Sequence, residues 1–354
     1  HGDRLVTNPE WASTASLPEI AQWLRGKRSV VLLTHAKPDG DAMGSTLALA
    51  RAINRSTNTS GAASTAECWY MGPMPAWHKL LTGSTKTRHI DPGETPEFTL
   101  DPEAIVVCDT GTWGQLDAYA DWLRARADRA CVIDHHLQGD PDTAPRRHLA
   151  TSAAAVCQPI AELCRLVLGL DALSELPTEI AEPLYFGLAT DTGWFKHGNV
   201  SADVMRTAGD LLACGVNHER LYQATEMNDR PQRLRLMARA LASLELHQDD
   251  SIALMSLTPK DLEASGAAPG DSGGFVDIPR TVGKIRVSAL LTEIEAPDHS
   301  RFTKISLRSK GGDLAVDVNQ VAQKLGGGGH ARAAGVRVMA PLDEAKAKLL
   351  EALA

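Results

Sequence analysis

In the first half of the chain, short apolar runs alternate with segments whose apolar residues recur at helical spacing. The apolar runs lie at residues 30–33, 68–71, 105–108 and 131–133, and the helical spacing covers residues 46–54, 153–168 and 179–189. Strands that alternate with helices are typical of a parallel sheet whose crossover helices cover both faces. This half is therefore predicted to be an α/β domain with a parallel sheet and helices on both of its faces.

The pattern changes beyond residue 200. Helical spacing continues almost without a break through residues 202–213, 218–226 and 231–246, and strand-like runs follow at 252–257, 285–291 and 303–307. A last helical segment at 314–325 ends in four consecutive glycines. We therefore predict an α/β domain at 1–225, a helical connector at 226–247 and a smaller α+β domain at 248–354.

Charge and cysteine usage narrow the functional classes. The 354 residues carry a net charge of −8 with a pI of about 5.8, which argues against binding of long duplex nucleic acid but permits a small anionic substrate. No apolar stretch approaches the roughly 18 residues of a membrane span. The six cysteines form no C-x-x-C pair, so a structural zinc site is not expected. With no signal-peptide core near the start, we expect a cytoplasmic protein.

Side chains that bind metals or move protons follow three of the predicted strands and one helix. They are His35, Asp39, Asp41, Asp109, Asp134, His135, His136 and Asp191. Taken singly, each has a plain alternative as a turn residue, a helix cap or a buried hydrogen-bonded histidine. Taken together, they predict a metal centre. The carboxyl ends of parallel strands converge on one crevice, where bound cations would offset the repulsion between carboxylates. Mixed carboxylate and imidazole ligands suit manganese or a similar divalent ion.

The glycine run near the C-terminus is the second candidate site. Gly326 to Gly329 precede His330 and Arg332, and glycines without a Cβ let backbone N–H groups approach a phosphate. The alternative is a helix cap followed by a turn. Between residues 280 and 337 there are ten Lys or Arg residues against five Asp or Glu residues, so this stretch is basic within an acidic chain.

These motifs, in this order, resemble those of the DHH phosphoesterase family. Its name-giving triplet is matched by residues 134–136, and the glycine run with His330 is similar to the family's associated C-terminal domain. Residues 305–309 and 316–319 also match that domain. Within the family, the chain most resembles the group of oligoribonucleases that also act on 3'-phosphoadenosine 5'-phosphate (pAp).

The resemblance implies a role for each residue. His35 and Asp39 would bind one metal ion, Asp41 and His135 the other, and Asp109 and Asp191 would touch or bridge both. His136 would face the scissile phosphate, with Asp134 as its catalytic partner. The implied substrate-binding residues are Arg280, Arg308, Gly328, Gly329, His330 and Arg332.

The expected activity is two-metal hydrolysis of short oligoribonucleotides, of pAp, or of both. The expected ions are two Mn²⁺, with Mg²⁺ and Co²⁺ as alternatives. A phosphodiesterase for linear or cyclic dinucleotides (pApA, pGpG or c-di-AMP) is the alternative enzyme, and a non-catalytic nucleotide-binding module is the alternative outside catalysis. We expect no membrane partner, and we leave open both the direction of attack on RNA and the assembly state, for which a homodimer is one option.

Overall fold

The chain folds into two compact units that divide between Met227 and Asn228. The computed structural model describes residues 10–56, 64–94, 98–268, 270–296 and 298–353. None of the helices in these ranges is both long and apolar enough to cross a bilayer.

Unit 1 is built on a six-stranded parallel sheet. Its strands are β1 (Ser29–Leu33), β2 (Thr65–Met71), β3 (Thr87–Ile90), β4 (Ala104–Cys108), β5 (Ala130–Asp134) and β6 (Arg146–Leu149). Its helices are α1 (Leu17–Leu24), α2 (Gly40–Arg55), α3 (His78–Thr82), α4 (Ala120–Arg124), α5 (Cys157–Leu168), α6 (Thr178–Asp191), α7 (Ala202–Ala213) and α8 (His218–Glu226). The strand order is β3-β2-β1-β4-β5-β6. The chain adds β2 and β3 on one side of β1 and β4 to β6 on the other, so the strand order reverses between β1 and β4. In sheets of this kind, ligands bind beyond the carboxyl ends of the strands at that reversal.

Both faces of this sheet are buried, as the sequence predicts. Val30 and Leu32 point into one apolar core, which the larger helices cover. Val31 and Leu33 point into a second core on the opposite face, which α4 and nearby short turns cover. Strand side chains alternate between faces, so an uninterrupted apolar run is required where both faces are covered. The prediction of a parallel sheet with helices on both faces is confirmed.

The sequence missed the two edge strands of this sheet. β3 and β6 have the sequences Thr-Arg-His-Ile and Arg-Arg-His-Leu, and most of their side chains are only partly buried. An edge strand pairs with one neighbouring strand only and is poorly covered, so it does not need the apolar run that marks a central strand.

Unit 2 contains a smaller mixed sheet. Its helices are α9 (Pro231–Ala242), α10 (Pro259–Ser265), α11 (Val318–Lys324) and α12 (Leu342–Leu353). Its strands are β7 (Glu245–His247), β8 (Ile252–Leu257), β9 (Val287–Glu295), β10 (Arg301–Ser309), β11 (Gly328–His330) and β12 (Ala333–Val338). The order is β11-β12-β10-β9-β8-β7, in which β8 and β9 are parallel and the other neighbours are antiparallel. The smaller α+β unit is thus confirmed.

Three sequence predictions in this region were wrong in detail. The helix predicted to reach residue 246 ends at Ala242, and residues 245–247 instead pair with β8. The helix predicted at 314–325 covers only Val318–Lys324, because the side chain of Asp317 caps its first turn. Glycines 328 and 329 belong to a strand bonded to β12 and not to a free loop.

Helices α2 and α6 pack closely because two glycines lie between them. A Cβ at Gly44 would come within 2.3 Å of the Pro183 carbonyl oxygen. A Cβ at Gly187 would lie 2.4 Å from Cys157 Sγ and 3.0 Å from Asp41 Cα. This close approach brings the start of α2 beside the end of α6.

We predict opposite stability effects for two glycine substitutions. Gly187→Ala should lower the free energy of unfolding by about 1–3 kcal/mol, because the added methyl overpacks the α2–α6 contact. Gly209→Ala is the matched control, since Gly209 is an exposed residue within α7 and its Cβ would meet nothing within 4 Å. This control should gain about 0.5–1 kcal/mol from helix propensity. Urea unfolding of both variants tests the pair, and equal effects would contradict the close packing.

Candidate active site

Three of the predicted metal-binding residues follow neighbouring strands of the unit 1 sheet. His35 comes shortly after β1, Asp109 directly after β4 and His135 directly after β5. In the strand order, β4 lies between β1 and β5. The three side chains therefore emerge side by side at the carboxyl edge, with Asp109 in the middle.

Asp109 contacts both histidines. Its Oδ2 lies 3.4 Å from His35 Nε2, and its Oδ1 lies 3.4 Å from His135 Nε2. The side chain is 4% exposed, and the backbone adopts a left-handed conformation with φ of +63°. Asp is one of the few residues that enters this region readily. The turn thus directs one carboxylate toward two imidazoles.

Backbone carbonyls orient the two histidines. His35 Nδ1 lies 2.9 Å from the carbonyl oxygen of Ala36, and His135 Nδ1 lies 3.2 Å from that of Ala153. A carbonyl oxygen can only accept, so Nδ1 carries the hydrogen in each ring. Nε2 of each histidine is left to face the carboxylates, which is the arrangement found in metal-binding histidines.

Asp39 both caps helix α2 and joins the cluster. Its Oδ1 accepts hydrogen bonds from the N–H groups of Asp41 and Ala42, each at 3.1 Å. The same oxygen lies 3.7 Å from His35 Nε2. The structure therefore satisfies the helix-cap alternative and the cluster interpretation with a single side chain.

Asp41 and Asp191 extend the cluster on the other side of His135. Asp41 is buried, and its carboxylate accepts hydrogen bonds from the N–H groups of Val156 and Cys157 at the start of α5. One oxygen of Asp41 and one of Asp191 each lie 3.9 Å from His135 Nε2. Asp191 is the last residue of α6, so the α2–α6 contact holds these two carboxylates near each other.

All six predicted ligand residues thus lie in one cluster. Among the described residues, ligand atoms within 4.8 Å of one another form three groups. The groups are His35, Asp39 and Asp109; Asp41, His135 and Asp191; and Asp109, His135 and His136. Asp109 occurs in the first and third groups and His135 in the second and third, so these two residues link the whole cluster.

Crowding of like charges perturbs the acids. Burial, and then the negative charges of Asp109 and Asp191, raise the pKa of Asp41 well above its usual range. Burial and the charge of Asp109 raise the pKa of Asp191 to about 6. Burial alone would lower the pKa of His35 and of His135, but their contacts with Asp109, with a second nearby carboxylate and with a backbone carbonyl together outweigh it and raise each to about 10. The cluster therefore favours any positive charge placed within it.

One carboxylate oxygen of Asp109 indicates whether cations fit this cluster. Asp109 Oδ1 is buried and has no hydrogen-bond partner in the described part of the chain. Such an oxygen is costly to bury unless something else satisfies it. The atoms around it are carboxylate oxygens and imidazole Nε2 atoms, a ligand set that suits divalent metal ions. The residues present fit such ions.

His136 has a different environment from His135. Its Nδ1 lies 2.7 Å from Oδ1 of Asp134, and the same oxygen accepts the N–H groups of His135 and His136. Asp134 is fully buried, whereas the side chain of His136 is 54% exposed. The hydrogen bond to Asp134 raises the pKa of His136. The ring is thus held through Nδ1, and its other nitrogen remains available.

The predicted substrate-binding residues lie in unit 2, and four of them belong to strands of its sheet. His330 on β11 and Arg308 on β10 both pair with Ala333 of β12, so they lie in one row across three strands. Gly328 and Gly329 belong to β11 as well. A Cβ at Gly329 would lie 2.5 Å from the carbonyl oxygen of Ala333, so this position requires glycine.

The two remaining arginines make contacts within unit 2. Arg280 forms an ion pair with Asp277 and donates to the carbonyl oxygen of Ser309 at the end of β10. Arg308 lies 3.8 Å from the same Asp277. Arg332, in the turn between β11 and β12, packs against Gly311. Their roles toward a substrate stay predictions.

The sequence could not reveal the backbone groups that orient the ligands. The carbonyls of Ala36 and Ala153 and the N–H groups of Val156 and Cys157 all contact the cluster. Because these contacts are made by backbone groups of alanine, valine and cysteine residues, the residue type does not indicate that they orient the cluster. The only local sign is the start of a helix at α5, where free N–H groups favour a carboxylate.

Comparison with known proteins supports the motif analysis. The sequence model of the DHH family, N-terminal domain, matches residues 29–188, and that of the DHHA1 domain matches residues 251–354. A Thermus thermophilus protein named bifunctional oligoribonuclease and PAP phosphatase NrnA is 31% identical over 97% of this chain and 94% of its own length. The Bacillus subtilis protein of the same name is 25% identical over 88% of this chain and 89% of its own.

A solved structure also matches along nearly the whole length. It is an exopolyphosphatase-related protein from Bacteroides fragilis, with a TM-score of 0.79 and 25% sequence identity over 95% of both chains. The two domain matches, the Thermus relative and this structural likeness all support the same family assignment. The chain belongs to the DHH family of phosphoesterases.

Proposed function

We propose that this chain hydrolyses short oligoribonucleotides and pAp with the help of divalent metal ions. The observation that carries the proposal is the single cluster of four carboxylates and two imidazoles at the carboxyl edge of the sheet. The relatives named as bifunctional oligoribonuclease and PAP phosphatase support the choice of substrates. A non-catalytic nucleotide-binding module would not need to retain all six of these residues.

Two ions, which we propose to be Mn²⁺, would be held by the two outer groups of the cluster. His35 and Asp39 would bind one ion and Asp41 and His135 the other, with Asp109 shared between them. We keep a shared role for Asp191 as a proposal, although it groups with Asp41 and His135. Divalent ions held there would supply Lewis-acid activation of the phosphate ester and of the attacking water.

His136 is proposed to act on the substrate. Asp134 holds the Nδ1 hydrogen and thereby fixes the ring orientation. Nε2 can then donate a proton or a hydrogen bond to a phosphate oxygen or to the leaving oxygen. The buried carboxylate also stabilises the charged form of the ring and raises its pKa.

Unit 2 is proposed to bind a terminal phosphate. Arg308 and His330 can donate charge-assisted hydrogen bonds, and the backbone of Gly328 and Gly329 can approach an anion without Cβ obstruction. Arg332 and Arg280 would add positive charge nearby. Recognition of a chain end favours short substrates over long ones.

Asp109→Asn tests the metal centre. Because the amide keeps the shape but loses the charge between the two imidazoles, it should weaken Mn²⁺ binding and lower turnover by about three decades. Titration calorimetry measures the first and initial rates the second. Asp121→Asn, at an exposed position, is the matched control and should change neither. An Asp109→Asn enzyme with wild-type turnover would exclude the proposed metal centre.

His136→Ala separates the two adjacent histidines. It should lower turnover by about two to four decades, the usual contribution of a general acid or base. Mn²⁺ affinity should be retained, because the proposed ligands are untouched. His135→Ala should instead lose metal and turnover together. Loss of a bound ion in His136→Ala would show that the roles of the two histidines are reversed.

A substrate panel with Mn²⁺ tests the overall proposal. It contains pAp, oligoribonucleotides of increasing length, linear and cyclic dinucleotides, and pyrophosphate. We expect pAp and RNA of a few nucleotides to react fastest and long strands to react poorly. Preference for a cyclic dinucleotide would instead favour the alternative phosphodiesterase. No Mn²⁺-dependent hydrolysis of any member would refute the proposed function.

The same panel with His330→Ala tests the phosphate grip. Loss of a hydrogen bond to a charged group costs about 1.5–3 kcal/mol, so kcat/KM should fall by about one to two decades. Mn²⁺ affinity should not change. His299→Ala, an exposed histidine of the same unit, is the matched control and should behave as wild type. Unchanged kcat/KM in His330→Ala on every substrate would show that β11 has only a structural role.

A further inference from the structure

The described chain begins with a segment that runs along the outer edge of the unit 1 sheet. The N–H groups of Thr14 and Ala15 donate to the carbonyl oxygen of Arg147 on β6, and the Arg147 N–H donates back to Thr14 Oγ1. The guanidinium of Arg147 is largely buried and bonds the carbonyls of Ala12 and Ala144. These contacts fix the segment and hence the side chain of Trp11.

The indole of Trp11 fills a notch between two glycines. A Cβ at Gly111 would lie 1.9 Å from the ring, and a Cβ at Gly139 would lie 2.4 Å from it. The side chain is buried in the apolar core that α4 covers. Neither glycine has a positive φ, so the reason for glycine at both positions is the room that the indole needs.

Trp11 also reaches the candidate active site directly. Its Nε1–H donates to the carbonyl oxygen of His136 at 3.2 Å. The two glycines belong to the loops that follow Asp109 and His136, and these loops are bonded to each other from the Asp140 N–H to the Gly111 carbonyl at 2.8 Å. One indole therefore contacts both loops and bonds the backbone of the proposed proton donor.

We propose that Trp11 is a positioning residue that acts through His136 in the phosphoesterase reaction. Asp134 holds the ring of His136 through Nδ1, and Trp11 holds its backbone through the carbonyl, so both the ring and the main chain of this residue are held in place. Trp11 lies outside the span that the DHH family match covers. The inference rests on the proposed function, because its main measurement is hydrolysis of pAp and short RNA.

Trp11→Phe, which retains an aromatic ring but removes the N–H, is the first test. We expect kcat to fall about tenfold with KM within about twofold, since a small misplacement of a catalytic group affects turnover more than binding. Trp122→Phe is the matched control: Trp122 belongs to the same core, but its Nε1 has no hydrogen-bond partner among the described residues. It should lose stability without losing kcat. Equal kcat losses in both variants, after matching for unfolding temperature, would overturn the proposal.

The second test asks whether Trp11 acts through His136. In the His136→Ala background, Trp11→Phe should lower kcat by less than about twofold, because the group that it positions is gone. Calorimetric titration of the metal-free protein should give an Mn²⁺ Kd within about threefold of wild type for Trp11→Phe. Independent, multiplicative losses, or an Mn²⁺ Kd raised tenfold or more, would overturn the assignment to His136.

The third test displaces the indole of Trp11 by a substitution at a neighbouring glycine, so Trp11 itself is unchanged. Gly139→Ala should lower kcat as Trp11→Phe does, because the new methyl occupies the notch. Combined with Trp11→Ala it should add no further loss, since the notch is then empty. An additive effect would overturn the proposal. Wild-type protein that hydrolyses no member of the panel would refute both the proposed function and this inference, whereas active wild type with silent variants would refute the inference alone.

Discussion

The rest of the site depends on the contacts that the carboxylate of Asp109 makes with the imidazoles of His35 and His135. This carboxylate lies 3.4 Å from an imidazole on each side and is almost fully buried. Three further carboxylates lie close by, and their mutual repulsion opposes folding unless positive charge offsets it. The two histidines supply part of that charge, and the buried Asp109 Oδ1, which has no hydrogen-bond partner among the described residues, could contact a further cation. The cluster is therefore built for cations.

The fold supplies the constraint that keeps these groups together. Parallel pairing places the ends of β1, β4 and β5 side by side, so three of the residues meet at one edge. Two glycines let α2 approach α6, which brings Asp41 near Asp191. Packing of the apolar cores on both faces of the sheet thus stabilises an arrangement that electrostatics alone would disperse.

Sequence patterns predicted which side chains would cluster, because a parallel sheet has one carboxyl edge, and residue type alone identifies imidazoles and carboxylates that follow its strands. They did not predict the polar edge strands β3 and β6, because an edge needs no apolar run. They also missed the strand at Gly328–His330, whose pairing depends on a partner later in the chain. The contacts of Trp11 escaped for the same reason: a hydrogen bond to His136 spans 125 residues.

The triplet that names the family shows how far residue type can specify a role. His135 and His136 are adjacent and identical in type, yet backbone geometry turns them to different partners. His135 bonds the carbonyl oxygen of Ala153 and directs Nε2 to three carboxylates, whereas His136 bonds Asp134 and remains half exposed. A carbonyl partner at Nδ1 fixes the tautomer and leaves Nε2 facing the carboxylates, an orientation suited to ligation, whereas a buried carboxylate partner favours the charged ring suited to proton donation. The different environments of the proposed ligand and the proposed proton donor therefore arise from the acceptor that each Nδ1 contacts.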